Sequence, residues 1–336
     1  MKHKTISKAL DFATKYALFV VFVVLFLFFS LASPYFFDVY NFSNIISQNA
    51  HLVIVVCGVA LIMISGGTDL SVAYEMSLSA IVIAAGVMWW NIPLVIAIIL
   101  GLITAVILGL INGSLSVRFK IHPMMITLAT MTIFKGVAYL ITKSQSIFNL
   151  PQPLKYLGQG RILEHIPVSL FIMIFVIVIV SLLLNKTYLG RYTYAVGSNP
   201  EAARLAGINV GFTKILIFGI GGFLIGIGSV ILLGRAGSAN VLMASGAEFD
   251  AITACVLGGI ALRGGEGKLW GAVTGVFILG ILSNGMQLLG LDLNAQYIAK
   301  GVLLIAAIGF DTYQKSKLHV KKEEKNNGNQ KKCQLI

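Results

Sequence analysis

The sequence is poor in charge and in the groups that covalent or metal chemistry needs. Only 11% of its 336 residues are charged and 57% are hydrophobic, whereas soluble domains carry about 25% charged residues. Its three cysteines form no CxxC pair and no Cys/His spacing typical of a metal site, and two of them, Cys57 and Cys255, lie inside apolar runs as buried apolar residues would. A soluble core cannot absorb so large an apolar excess, so we predict that lipid covers it.

Motifs of nucleotide and hydrolase chemistry are missing as well. The segment 262–268 comes nearest to a phosphate-binding loop, but Leu262 stands where the first glycine belongs and Leu269 where the magnesium-binding Ser or Thr belongs. There is no HExxH pair and no nucleophile elbow. We therefore predict no enzyme activity, no catalytic residue, no cofactor and no metal, and we favour a transporter or channel subunit.

Ten apolar runs approach or reach the length of about 20 residues that a membrane-spanning helix needs. They cover 17–33, 49–65, 71–90, 93–117, 123–142, 167–185, 213–234, 247–262, 269–288 and 295–311. The eighth is short and interrupted by glycines, so a re-entrant or broken segment is an alternative to a full crossing there. The predicted fold class is all-α, a polytopic membrane protein with about ten transmembrane segments.

The basic residues predict an orientation. With both termini cytoplasmic, 19 of the 25 Lys and Arg residues fall on the cytoplasmic side and four outside, as the positive-inside rule requires. They lie in tails and short loops and form no basic patch interleaved with aromatics, so we predict no nucleic-acid binding. The predicted domains are a cytoplasmic basic tail over 1–16, a transmembrane domain over 17–311 with a cytoplasmic loop over 185–214, and a cytoplasmic basic tail over 312–336.

A glycine-rich bend at 65–71 joins the second and third runs and supplies four candidates for a translocation path: Gly66, Gly67, Asp69 and Ser71. A carboxylate at bilayer depth costs about 2.5–3.5 kcal/mol, and broken backbone is tolerated there only against protein or a water-filled cavity. The bend therefore either lines a path or fixes the packing of two helices. The alternative is a short surface loop whose aspartate caps the next helix.

Further polar candidates lie in or beside later runs. Glu248 and Asp250 stand at the mouth of the eighth run, where interrupted helices usually hold solute sites, although capping acids of an outer loop would look the same. Lys135 is in the middle of the fifth run and either snorkels to the surface or faces the path.

A short internal similarity links the fourth and ninth runs. Residues 107–113 resemble 278–285, and the two segments place Asn112 and Asn284, also path candidates, at matching positions. Since these runs point in opposite directions, an inverted five-plus-five repeat would explain the match, with chance as the alternative. Two GxxxG pairs predict close helix packing: Gly222 with Gly226, and Gly271 with Gly275.

The loop over 185–214 predicts a short, well-capped helix. Asn199 is a good N-cap residue, Pro200 suits the first helical position, and Glu201 lies in the first turn, where the helix dipole favours an anion. Gly207 is placed to end the helix. Such a rigid element is suited to docking in a groove of another protein.

These residues carry a resemblance to a known family. Glu201-Ala202-Ala203, followed after three residues by Gly207, resembles the first half of the EAA loop by which importer permeases engage their ATPase subunits, although the second half is absent. Further matching motifs occur in order at 66–71, 127–131, 190–192, 248–252 and 257–260. From about residue 35 to 311 the chain is similar to the monosaccharide ABC permeases of the ribose, xylose and arabinose type.

The resemblance implies a bacterial inner-membrane subunit that imports a small sugar. It implies four partners: a second permease copy or a paralogue, a cytoplasmic ABC ATPase, a periplasmic sugar-binding protein and the lipid bilayer. It makes the following residues the candidate ATPase-coupling helix: Gly197, Asn199, Pro200, Glu201, Ala202, Ala203, Arg204 and Gly207.

The sequence departs from the family pattern in three places, and a rival function stays open. The family usually has Ile where Thr68 stands, Gly-Ser in place of Ala73 and Tyr74, and Arg in place of Lys135. The rival is an ion-gradient-driven secondary transporter, which would use acids within the membrane as ion couplers. Its candidate couplers are Asp69, Glu75 and Asp250.

Overall fold

The computed structural model describes residues 17–306 and residue 309, and it is mainly helical. The helices are α1 Ala17–Ala32, α2 Val39–Ile64, α3 Val72–Met88, α4 Leu94–Phe119, α5 Pro123–Thr142, α6 Gln152–Gln159, α7 Val168–Lys186, α8 Tyr188–Ser198, α9 Pro200–Leu205, α10 Val210–Ala236, α11 Ala247–Leu257, α12 Leu269–Leu288 and α13 Leu293–Ala306. Strands β1 Arg161–Ile162 and β2 Ile166–Pro167 form an antiparallel pair, in which Ile162 lies opposite Ile166.

Each predicted apolar run corresponds to one of these helices. Six are long and apolar enough to cross a membrane, namely α2, α4, α5, α7, α10 and α12. Helices α1, α3 and α13 are apolar but shorter, and α11 has only 11 residues. A mainly helical, polytopic membrane protein is thus confirmed, whereas the count of ten crossings and the inverted repeat stay predictions. The predicted tails, 1–16 and 312–336, lie outside the described residues.

Helices α2 and α10 form the interior of the bundle. The fraction of buried residues in the most apolar part of each helix is 72% for α2 and 67% for α10. The same fraction is only 28% for α4 and 22% for α5. A helix that is apolar all round belongs in the interior of a large protein or in lipid. The buried helices are therefore covered by protein, while α4 and α5 leave wide apolar faces for lipid.

Small residues let the helices approach closely, as the GxxxG pairs predict. A side chain on Gly222 of α10 would collide with the carbonyl oxygen of Ala105 in α4, and a side chain on Gly271 of α12 would collide with the carbonyl of Gly258 after α11. Without a hydrophobic force between helices in lipid, such close packing is a main source of their association.

Replacing Gly222 by alanine should destabilise the fold by about 1–3 kcal/mol, because the opposing Ala105 backbone cannot yield as a side chain can. Gly136 of α5 is the matched control, since no described atom lies within 4 Å of an added Cβ there. Gly136→Ala should be neutral or stabilising by up to about 1 kcal/mol. The measurement is the SDS-unfolding midpoint of each purified variant, and equal midpoints would contradict the close α4–α10 packing.

Candidate functional site

The candidate residues lie at two opposite ends of α2. At its C-terminal end, Ile64 accepts a hydrogen bond from the backbone N–H of Gly265 (2.8 Å), beside Gly197. Near its other end, the carbonyl of Gln48 accepts a hydrogen bond from Nη1 of Arg235 (3.1 Å). The helical rise separates these two points by about 24 Å. We call the ends the Gly197 face and the Arg235 face.

On the Gly197 face, α9 forms as predicted. Oδ1 of Asn199 accepts hydrogen bonds from the backbone N–H groups of Glu201 (3.1 Å) and Ala202 (3.0 Å), and Pro200 begins the helix. The helix is followed by Gly207 at φ = 83°, a left-handed conformation that residues other than glycine rarely adopt. The predicted capped helix is therefore confirmed, and its docking role stays a prediction.

The surface of α9 combines charge with one apolar residue that the sequence analysis did not single out. Glu201 and Arg204 form an ion pair of 3.5 Å with largely exposed side chains. Ala203 is buried against the bundle, whereas Leu205 is 90% exposed. Helical phase indicates this exposure only once Ala203 is known to be buried, because a residue two positions from a buried one points to the opposite side. An exposed leucine flanked by charges suits contact with a partner protein.

The two groups of candidates meet in a backbone junction on this face. Gly197, at the end of α8, lies so close to the carbonyl of Ile64 that no side chain would fit. A Cβ on Gly66 would be 3.6 Å from the Cα of Gly197. Gly264, with φ = 84°, packs against the backbone of Gly66 from the loop between α11 and α12. The bend, the 185–214 loop and the 263–268 loop are therefore in direct contact.

A side-chain hydrogen bond reinforces this junction. The hydroxyl of Tyr194, on α8, donates to the carbonyl of Gly267 (2.9 Å). Burial raises the pKa of the Tyr194 phenol, so the hydroxyl remains a donor at and above neutral pH. The 185–214 loop is thus held to the 263–268 loop by both backbone packing and a hydrogen bond.

A basic groove of about 800 Å³ opens beside α9 on the same face. It lies between the turn that joins α4 to α5 and the turn that joins α9 to α10. Lys120, His122, Arg204 and Lys214 are among its lining residues, and no acidic residue of the described chain lines it. The groove therefore presents a positive surface next to the candidate docking helix.

A fully buried polar cluster connects the bend to α3, α4 and α5. The hydroxyl of Ser71 donates to Asp69 (2.6 Å) or to Glu75 (3.0 Å), since it carries a single proton. The amide of Asn112 donates to Ser71 and Glu75 (both 2.8 Å), and Thr130 donates to the Asn112 carbonyl oxygen (2.6 Å). The structure thus brings together three path candidates and the candidate ion coupler Glu75, and it adds Thr130, which the sequence analysis did not single out.

The two acids of this cluster have no ion-pair partner within the described chain. Oδ2 of Asp69 and Oε2 of Glu75 are buried without a hydrogen bond. Lys135 does not reach them, and its ammonium lies 5.6 Å from the centre of the Tyr74 ring. The described residues also form no group of three or more His, Cys, Asp or Glu that could hold a metal. Hydrogen bonds alone therefore hold these carboxyl groups in place.

On the Arg235 face the two acids of α11 have different roles. Asp250 pairs with Lys300 of α13 (2.7 Å) and ties the two helices together. Glu248 instead accepts a hydrogen bond from the backbone N–H of Gly246 (3.1 Å) just before its own helix, as a capping acid would. Asn284 exchanges two hydrogen bonds with Asn41 (2.8 and 3.0 Å). None of these partners was predicted.

A bundle of apolar helices, six of them long enough to cross a membrane, defines a polytopic membrane protein. Residues 41–308 match the family described as "Branched-chain amino acid transport system / permease component", and the chain belongs to this family. The predicted relation to monosaccharide ABC permeases is confirmed.

Two of its relatives are each 38% identical to this chain over the aligned residues. One is the L-arabinose transport system permease protein AraH of Escherichia coli (strain K12), over 90% of this chain and 92% of that protein. The other is the ribose import permease protein RbsC of Bacillus subtilis (strain 168), over 84% and 88%. The probable ABC transporter permease protein YphD of Escherichia coli (strain K12) is 35% identical over 87% of each chain. No solved structure matches.

Replacing Asn112 by leucine should destabilise the protein by about 3 kcal/mol or more. The change removes the donor to Ser71 and Glu75 and the acceptor of Thr130, and each polar group left buried and unsatisfied costs about 1–3 kcal/mol. Asn185 of α7, an exposed amide, is the control, and Asn185→Leu should change stability by less than about 0.5 kcal/mol. SDS-unfolding midpoints test this, and a loss no larger than that of the control would refute the role of the cluster.

Proposed function

We propose that this chain is the membrane-spanning permease subunit of an ATP-driven importer for a small sugar. A separate cytoplasmic ATPase supplies the energy, an external binding protein delivers the sugar, and a second permease copy or a paralogue completes the pathway. The family and the sugars in the names of AraH and RbsC support this reading. The chain lies in a bacterial inner membrane with about ten crossings over 17–311 and both termini in the cytoplasm.

The observation that carries the proposal is the junction at Gly197. The exposed helix α9 follows directly on α8, whose last turn is in backbone contact with the end of α2 and with the loop before α12. A push on α9 from an ATPase is thus transmitted to two helices of the bundle without a flexible linker. The Gly197 face is accordingly the cytoplasmic face, where Glu201, Arg204 and Leu205 contact the ATPase.

The translocation path then runs between the two faces of the bundle. Asp250 belongs to its outer end, and Gly66 and Gly67 to the bend at its inner end. The buried side chains of Asp69, Ser71 and Asn112 fix the packing around this bend, since their hydrogen bonds go to one another. Sugar selection resides mainly in the binding protein, so the path needs only weak polar contacts.

The buried acids favour one rival, a transporter driven by an ion gradient. Asp69 and Glu75 lie within the bundle without an ion-pair partner in the described chain, and buried ionisable residues often mark proton or ion pathways. Against it, Asp69 accepts a hydrogen bond from the backbone N–H of Ser71 and Glu75 accepts one from Asn112. The source of energy distinguishes the two functions.

Uptake of labelled pentoses and hexoses under two separate poisons measures that source. The cells express this chain with its ATPase and binding protein. We expect uptake to survive collapse of the proton gradient when ATP is spared, and to stop when ATP is depleted and the gradient is spared. Uptake that stops with the gradient alone would refute the proposal and make Asp69 and Glu75 the residues to study.

Leu205→Ser should uncouple the ATPase from the permease. A well-buried interface anchor contributes about 2 kcal/mol or more, so ATPase affinity should fall roughly 30-fold while membrane insertion is unchanged.

Glu201→Lys and Gly207→Val should also abolish uptake, the latter because valine is strained at φ = 83°. The measurements are co-purification of the ATPase and sugar uptake.

The matched control for Leu205→Ser is Leu163→Ser. Leu163 is 81% exposed and lies beside Arg161, which bonds Asn44 near the start of α2, on the Arg235 face. This control should leave ATPase binding and uptake intact. Normal uptake by the Leu205, Glu201 and Gly207 variants would show that α9 is not the docking element.

A further inference from the structure

A small polar cavity opens on the Arg235 face. Its volume is about 220 Å³, and it lies among residues of α2, α10, α11, α12 and α13. Pockets for drug-sized ligands measure about 300–1,000 Å³ and are mainly apolar, so this one suits a smaller and more polar molecule. Its polar lining includes Gln48, Asn49, His51, Arg235, Asp250 and Gln296.

The lining offers both donors and acceptors that the protein leaves free. The side-chain amides of Gln48 and Gln296 form no hydrogen bond with another described residue. Asn49 donates to the Ile45 carbonyl (2.7 Å), which leaves its own oxygen as an acceptor. Arg235 has five N–H donors, of which one bonds the Gln48 carbonyl.

The amide of Asn49 is held in position from behind. A side chain on Gly280 of α12 would collide with this amide, so the amide fits here only because residue 280 is glycine. Lys300 and Asp250, which both line the cavity, form an ion pair in which the ammonium lies 2.7 Å from Oδ2. The other carboxylate oxygen of Asp250 can accept a hydrogen bond from a ligand. The cavity thus presents neutral donors and acceptors together with Arg235, a cation that has no ion-pair partner among the described residues.

We propose that this cavity is a subsite in which one neutral monosaccharide rests as it enters the permease. The inference builds on the proposed function. Sugar hydroxyl groups both donate and accept hydrogen bonds, and amides, a carboxylate oxygen and a guanidinium arranged around a small space satisfy both roles. The Asp250–Lys300 pair is already neutral and the guanidinium of Arg235 can donate to hydroxyl oxygens, so an uncharged polyol that fits the cavity volume can satisfy its lining.

The first test is protection of a cysteine in the cavity. Ser283, which lines it, is replaced by cysteine in a Cys333→Ser background, and Cys57 and Cys255 are buried. Right-side-out vesicles carrying permease and ATPase without the binding protein are treated with a membrane-impermeant maleimide.

The transported sugar should slow labelling about ten-fold at ten times its dissociation constant, whereas an untransported polyol should not. Gln145→Cys, at an exposed site near the Ile147–Ala239 bridge, should be labelled equally with and without sugar.

The second test is the preference among sugars. Gln296→Ala should change the uptake ratio of two transported sugars by about two- to ten-fold, the effect of one neutral hydrogen bond, and Gln145→Ala should leave the ratio unchanged. The inference is overturned if sugar does not slow labelling of Ser283→Cys, or if neither Ser283→Cys nor Ser245→Cys is labelled at all. A failure of the proposed function would be seen in a different measurement, because the wild-type importer would then show no ATP-dependent sugar uptake.

Discussion

The chain breaks between α2 and α3 in a largely buried bend, and protein must satisfy the backbone N–H and C=O groups that are buried there. After α2 the chain does this by turning back on itself, and the N–H groups of Gly66 and Gly67 donate to the carbonyls of Met63 and Ile62. The carbonyl of Ile64 is satisfied by Gly265 instead. The bend is therefore stable only while the 263–268 loop lies against it, and this contact leaves Gly197 no space for a side chain.

The same constraint explains the chemistry of the buried cluster. A buried carboxyl group without hydrogen bonds would be expensive, yet Asp69 accepts a hydrogen bond from the backbone N–H of Ser71 as well as one that the Ser71 hydroxyl can supply. Asn112 then bridges from α4 to Ser71 and Glu75. The full burial of Asp69 and its bonds to Ser71 support the packing alternative over a surface loop, and a path-lining role stays a prediction.

Local patterns were readable in the sequence, and contacts between distant segments were not. The Asn199 cap, the glycine after α9 and the close approach at Gly222 each follow from neighbouring residues and are present. The pair of Asp250 with Lys300 joins residues 50 positions apart, and no periodicity within either helix indicates it. Leu205 was missed because an isolated leucine has no signature until the buried side of its helix is known.

Helix α2 gives the two faces a common mechanical element. Its first half contributes Gln48, Asn49 and His51 to the cavity on the Arg235 face, and its end meets Gly197 and Gly265 on the other. Between them, residues from Val53 to Ile64 are buried, so one continuous helix, surrounded by protein, connects the two sites. Coupling between two sites requires an element whose position both of them bias. A sugar at one end and an ATPase acting through α8 at the other would both act on this helix.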